Sequence, residues 1–407
     1  MHSGPQLISA GPAGQAASGR LAFALIVCST VLGIAGTDLV LPAVPALPGV
    51  LGGSLEQAQL VLAAFVAGSA CGLLGFGALG ARFDQRRLIG ASLLAYASLS
   101  LAAGLSPSLG VLVVLRFLQG AAGSAAAVFA PGMLRALYGD TRAVSALGRL
   151  GSIEGLTPAL APIAGAWLLR TWGWRASFHV LAFGGAALGA AVSLARGQLP
   201  ALVSRRSGGG YGALLRDACF LRYALSQAFT LGGLLVFVFG SPSVFVTCLG
   251  GTLADFITMQ ISGIATFALA ANVAGRLSHH VGAERLIVGG TALSAAGAGS
   301  LLAYAALGGT QTPIVTLLFV PFNLGLGLRG PPGFHRAVVA ARGDDARGAA
   351  LVVIAVLAST AAGTALVAPF IMHGLVPLTL AAFVLAAASL GLLWGLPPLS
   401  SPPPDPS

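Results

Sequence analysis

The chain is 407 residues long, 56% hydrophobic and 8% charged, with 58 glycines and a net charge of +10. A water-soluble domain carries about 25% charged residues, so this composition excludes a soluble globular fold, and its hydrophobicity excludes a disordered chain. All 21 basic residues are arginines, set in small groups between long apolar runs, which argues against a nucleic-acid-binding tract and for a membrane protein whose loops carry the cations.

A membrane-spanning helix needs about 20 mainly apolar residues. Residues 1–19 are rich in Gly, Ala and Ser and read as a loose cytoplasmic tail ahead of Arg20. Spans are then expected near 20–45, 56–80, 87–105, 109–135, 147–169 and 174–195. A polar connector at 197–219 follows, then spans near 220–240, 255–278, 285–307, 313–336, 348–370 and 374–396. Pro/Ser-rich residues 397–407 read as a disordered tail. The expected fold is an all-α membrane protein of twelve transmembrane helices in two six-helix halves, 20–196 and 220–396, as in many secondary transporters.

The arginines check this count. With the N-terminus in the cytoplasm, 17 of the 21 fall on the inner side and only Arg170 and Arg175 on the outer side, while Arg116 and Arg329 lie within spans. That bias predicts a multi-pass cell-membrane protein with both termini cytoplasmic. A trace of internal repetition supports the halves: Gly77-Ala78-Leu79 with Arg86-Arg87-Leu88 ends span 2, and Gly275-Arg276-Leu277 with Arg285-Leu286 ends span 8.

Chemistry that would mark an enzyme is sparse. Cys28, Cys71, Cys219 and Cys248 are widely spaced and read as buried small hydrophobes, without metal or disulfide spacing. The histidines show no metal spacing, and His279-His280 reads as a solvated loop pair. Without lysine there is no Walker A site, and no nucleophile elbow emerges. No cofactor, no metal and no enzymatic activity are expected.

Five stretches carry a family resemblance. Asp38-Leu39-Val40-Leu41-Pro42-Ala43-Val44-Pro45 ends span 1, and Arg116-Phe117-Leu118-Gln119-Gly120 lies in span 4. Pro158 to Pro162 and Gly165 lie in span 5, Gly173-Trp174-Arg175 with Phe178 opens span 6, and Ser241-Pro242-Ser243 follows span 7. In this order and on these spans they resemble the major facilitator superfamily, and within it the drug/proton antiporters of the bicyclomycin and chloramphenicol resistance type. The resemblance covers spans 1 to about 11. It implies proton coupling through Asp38 and Arg116, a helix-kink motif at Pro158, Pro162 and Gly165, and a gating loop after span 2. That loop departs from the family pattern: Ala81 stands at the acid position, Asp84 at a glycine position, and Gln85 follows before Arg86 and Arg87. Asp84 with Arg86 and Arg87 is the expected gate, with Asp84 a candidate replacement for the missing acid. Ala161 and Ala166 stand where the family often has Gly.

Ionisable residues within spans are functional candidates because each costs about 2.5–3.5 kcal/mol to insert. Asp38 lies roughly 9 Å and Arg116 roughly 10 Å from the outer face at 1.5 Å per residue, so they are expected to pair, with protonation of Asp38 releasing Arg116. The alternative is a fixed structural ion pair. Glu154 and Arg329 both lie roughly 23 Å down, and opposite charges at one depth suggest an inter-half gate pair. Alternatives are snorkelling to water, or a proton-carrying role for Glu154. Gln119, Asn323, Gln227 and Phe237 are candidates for the substrate cavity, with helix–helix packing as the alternative.

The leading expectation is a proton-coupled secondary transporter exporting small lipophilic molecules such as antibiotics by alternating access. The runner-up is a proton-coupled transporter of a metabolite such as a sugar or amino acid, and a membrane-embedded enzyme or channel is less favoured. Expected partners are a small-molecule substrate, protons and the lipid bilayer, with no nucleic acid and a monomeric state.

Overall fold

The computed structural model describes residues 12–202 and 210–399, and among these every regular element is a helix. In lipid each backbone polar group must be satisfied within its own segment, and a helix does this for an apolar run. The first half comprises α1 (Pro12–Asp38), the short α2 (Leu47–Leu51), α3 (Leu55–Gly80), α4 (Gln85–Gly104), α5 (Leu109–Gly123), α6 (Ala125–Trp172) and α7 (Arg175–Leu194). A one-turn α8 (Gly210–Leu214) lies in the connector. The second half comprises α9 (Ala218–Thr247), α10 (Leu253–Val281), α11 (Ala283–Ala306), α12 (Thr312–Ala340), α13 (Asp345–Val367) and α14 (Leu375–Gly395).

The ends follow sequence chemistry. Ser54 and Gln57 form a capping box on α3, as Thr252 and Asp255 do on α10, and Asp84, Ser108 and Asp217 cap α4, α5 and α9. Each supplies an acceptor to first-turn N–H groups that no helix can satisfy for itself.

Eleven helices among the described residues are long and apolar enough to cross a membrane. The expected span 147–169 is not among them, because Glu154, Arg170 and its prolines dilute its hydropathy, yet it is helical throughout as the second part of α6. Expected span 4 is one membrane-crossing segment, Leu109–Asp140, made of α5 and the first part of α6, which join at Ser124. Within the 48-residue α6 the chain reverses at Gly139, whose φ of 68° suits glycine. Span 7 continues through Ser241-Pro242 to Thr247, beyond the expected end at 240.

The tails also differ from expectation. α1 begins at Pro12, so residues 12–19 are helical, while residues 1–11 lie outside the described part. Leu399 N–H donates to the Tyr223 hydroxyl at 3.1 Å, so the start of the last segment is held against α9, and residues 400–407 lie outside the described part, as do 203–209 of the connector. Cys28 and Cys71 are exposed rather than buried. In a membrane an outward apolar side chain meets lipid, so nothing drives these small groups inward.

Two apolar clusters fill the first half and two the second. The cluster around Leu73, Phe129 and Met133 also takes in Ala346 and Ala350 of α13, so one core crosses between the halves.

Candidate functional site

The halves meet near the end that carries most of the loop arginines. There α3 crosses α13: a Cβ built on Gly80 would lie 3.1 Å from that of Ala346, and one on Gly77 3.1 Å from that of Ala350. α6 crosses α10, where Gly148 lies against the Ala271 backbone and Gly275 against Ser145. Polar contacts reinforce the junction. Asn272 donates to Ser152 at 2.9 Å, Arg135 pairs with Asp345 at 3.2 Å and with Asp140 at 2.7 Å, and His335 approaches Asp140 at 3.7 Å. From the connector, the Tyr211 hydroxyl donates to the Leu74 carbonyl at 2.6 Å while its ring lies 5.6 Å from the Arg347 guanidinium, joining α3 to α13. The inter-half contacts named here all fall toward that end.

α6 carries two differently composed stripes on its surface. One exposed stripe is Ile153, Leu156, Leu160, Ile163 and Trp167, large and apolar, as a lipid-facing surface should be. Half a turn away, at 3.6 residues per turn, runs a second partly exposed stripe of Gly151, Glu154, Gly155, Pro158 and Pro162. Gly151 and Gly155 face the ring of Phe267 on α10, and the Glu154 carboxyl reaches the Thr30 hydroxyl on α1. This small-residue face therefore looks between the halves.

Gly165 extends the same helix to the end of α1. A Cβ there would strike the Leu39 carbonyl, which also accepts a 3.0 Å bond from Ser177 of α7. The glycine thus sets how closely α6 packs beside Asp38. Asp38 is partly buried, and no hydrogen bond or ion pair to its carboxylate is found among the described residues.

The expected pairs are not formed. Arg116 is fully buried, with Nε donating to the Val61 carbonyl at 3.2 Å and Nη1 to Gln119 at 2.7 Å, its guanidinium 4.2 Å from the Phe65 ring. It joins α3 to α5 rather than pairing with Asp38. Arg329 is equally buried and donates to the Ser226 carbonyl at 2.7 Å and the Thr230 hydroxyl at 3.0 Å on α9. It does not meet Glu154, because equal depth did not imply a shared direction: one side chain turns into its own half and the other toward α1. Asp84 caps α4 and pairs with Arg86 at 2.9 Å, which keeps its carboxyl below the usual range, and Arg86 Nη1 reaches the Arg196 carbonyl. Arg87 is exposed. These contacts remain inside the first half, so the inter-half contact is made by Arg135 and Asp345 instead.

The expected cavity residues are also drawn inward. Gln119 is buried and donates to Ser100 at 2.6 Å, and Asn323 donates to the Phe319 carbonyl at 3.0 Å. Phe237 packs on Phe319 with centroids 5.2 Å apart. Gln227 is buried beside Gly333, with its Oε1 unpaired. Lipid offers amides no partners, so helix neighbours take up their hydrogen bonds. Sequence reasoning missed Asp345, Asp140, His335, Tyr211 and Phe267, and counted Arg135 only among the 17 inner-side arginines.

Two helical bundles thus meet through small-residue crossings and ion pairs near one end of a membrane protein. The chain belongs to the Major Facilitator Superfamily, whose family model matches residues 26–365. It is 30% identical over 256 residues to the uncharacterized MFS-type transporter YdgK of Bacillus subtilis, covering 60% of this chain and 64% of that one. It is 26% identical to a bicyclomycin resistance protein homolog of Haemophilus influenzae, covering 62% of this chain and 65% of that one. It is 33% identical to a chloramphenicol resistance protein of Pseudomonas aeruginosa, covering 57% of each. The match thus spans about three fifths of the length of these relatives. The fold is similar to that of the MFS transporter FucP in its outward conformation, with TM-score 0.69, 15% identity and coverage of 93% and 99% of the two chains. It is likewise similar to the proton:xylose symporter XylE, with TM-score 0.71, 15% identity and coverage of 93% and 96%.

Proposed function

We propose that this chain is a proton-coupled exporter of small lipophilic molecules such as antibiotics. The arginine-rich end and both termini face the cytoplasm. The observation that carries the reading is the junction near the arginine-rich end, where small-residue crossings and partly exposed ion pairs join the two halves. Such contacts are weak enough to break and re-form as two bundles rock.

The drug reading draws on two supports. The names of two relatives concern resistance to bicyclomycin and to chloramphenicol. In addition, Gln119 and Asn323 are hydrogen-bonded inside their own halves, which withdraws two embedded amides from a sugar-like substrate. Asp38 is the proton carrier: an unpaired, partly buried carboxylate changes charge without first breaking an ion pair, and the backbone beside it is fixed against α6 and α7. The protein acts as a monomer in lipid, with protons and one small molecule as its partners.

The test is uptake of chloramphenicol into everted vesicles with and without an imposed proton gradient. Wild-type uptake is expected to depend on the gradient and Asp38→Asn to lose at least nine tenths of it. Full gradient-driven uptake by Asp38→Asn removes Asp38 from coupling, and uptake indifferent to the gradient ends the antiport reading.

A further inference from the structure

The connector is moored on both halves. At its start Leu199 and Leu202 pack into an apolar cluster of the first half, and the Leu202 carbonyl accepts a 3.2 Å bond from the Gln85 N–H of α4. From α8 onward the chain is held by the second half. Leu214 is buried in the cluster that contains Phe220, Tyr223 and Ala341, and Asp217 caps α9 and pairs with Arg342 at 3.2 Å.

Tyr211 runs against this division. It lies on α8, three residues before Leu214, and its ring stands 5.6 Å from the Arg347 guanidinium of α13, which Asp344 holds at 2.7 Å. Its hydroxyl nevertheless reaches back to the first half and donates to the Leu74 carbonyl of α3 at 2.6 Å. Gly77 makes the room. A Cβ there would strike the Tyr211 oxygen and stand 3.1 Å from that of Ala350, so this bond and the crossing of α3 with α13 meet at one glycine. Burial pushes the Tyr211 phenol up to about 12, so the group remains a donor at any cellular pH.

The mooring fixes what happens on separation. If the halves part at this end, Leu214 and Asp217 carry Tyr211 away with the second half, and its bond to Leu74 breaks. We propose that α8 is a strap across the arginine-rich end, fastened to α3 by the Tyr211 hydroxyl, and that it biases the two halves toward their joined state. This deepens the export reading and rests on it for the opening movement. A single hydrogen bond weights such an equilibrium about fivefold.

The experiment reads the separation directly. Ala350 is fully buried against α3, so a thiol at this position is reached only when the halves part. In full-length protein with the four native cysteines replaced by Ser, Ala350→Cys is alkylated by a membrane-impermeant maleimide in everted vesicles. Tyr211→Phe, which keeps the ring and removes the hydroxyl, is expected to raise the alkylation rate about fivefold, and Tyr211→Ala at least as much. Ala224→Cys, buried inside the second half, serves as the control and is expected to react at an unchanged rate in the same variants. Alkylation at position 350 unmoved by Tyr211→Phe overturns the strap, whatever Tyr211→Ala does. A parallel rise at position 224 also overturns it, because the variants then loosen the protein as a whole. Gradient-driven uptake of chloramphenicol is followed in the same vesicles. A rise confined to position 350, in protein that takes up no chloramphenicol, upholds the strap and sinks the export reading instead.

Discussion

Arg116 and Arg329 show how a cation is housed without a counter-ion. Arg116 donates to a carbonyl of α3 and to an amide of its own helix, and Arg329 to carbonyl and hydroxyl oxygens of α9, while Arg116 Nη2 and Arg329 Nε find no partner among the described residues. Removing such a group strands acceptors that cannot reach water, at about 1–3 kcal/mol for each. Arg116→Ala is therefore expected to leave Gln119 Oε1 unpaired, to remove the second hydrogen bond of the Val61 carbonyl, and to lower the thermal unfolding midpoint in detergent. Phe65 loses its cation contact in the same variant. An unchanged midpoint with lost proton coupling would make Arg116 a coupling residue after all. The same comparison separates a packing role from a chemical one, which the sequence motif alone does not do.

At the scale of the element, α6 holds the most information. Its three interior prolines do not end it, because neighbouring helices compensate for the missing N–H groups. Its glycines are placed where another helix comes close: Gly148 at Ala271 and Gly165 at Leu39. A methyl at Gly165 collides with a backbone atom that cannot rotate away, so α6 or the end of α1 must shift. Gly165→Ala is expected to reduce gradient-driven export at least tenfold while the protein still reaches the membrane, as read by vesicle uptake normalised to protein. Normal uptake would show that this crossing is softer than its geometry implies. Arg175 does comparable work at the start of α7, donating to the Gly104 carbonyl at the end of α4 at 3.0 Å. That bond satisfies a helix-end carbonyl otherwise left without a partner.

For the whole molecule, the decisive feature is which end is shut. If rocking opens the arginine-rich end, tying that end must stop transport. The positions of Gly80 and Ala346 allow this, since their Cβ atoms would stand 3.1 Å apart, near disulfide spacing, once the Phe129 ring that a Gly80 Cβ would strike turns aside. With the four native cysteines replaced by Ser, Gly80→Cys with Ala346→Cys is expected to cross-link under mild oxidation. Export should then stop, and a reductant should restore it. A cross-linked protein that still exports would mean that this junction does not open during the cycle.

Much of this was legible in the chain. Long apolar runs fix helices, because lipid leaves no other partner for the backbone, and arginine bias orders them. The motifs around Asp38, Arg116, Pro158 and Gly173 placed the family, and Gly165 was marked as part of a motif before its contact with Leu39 was known. The partners of charged groups were not legible. Asp38 with Arg116 and Glu154 with Arg329 were matched by depth, which sequence supplies, whereas pairing also depends on the direction each side chain faces. Arg135 and Asp345 lie 210 residues apart, and only the crossing of α6 and α13 brings them together. The sequence by itself thus determined that the chain spans a membrane as two sets of helices, since composition and hydrogen-bond satisfaction are local properties. The tertiary structure alone decided which residues join the halves and which charged groups meet, since helix rotation and crossing are set by packing between segments distant in the chain.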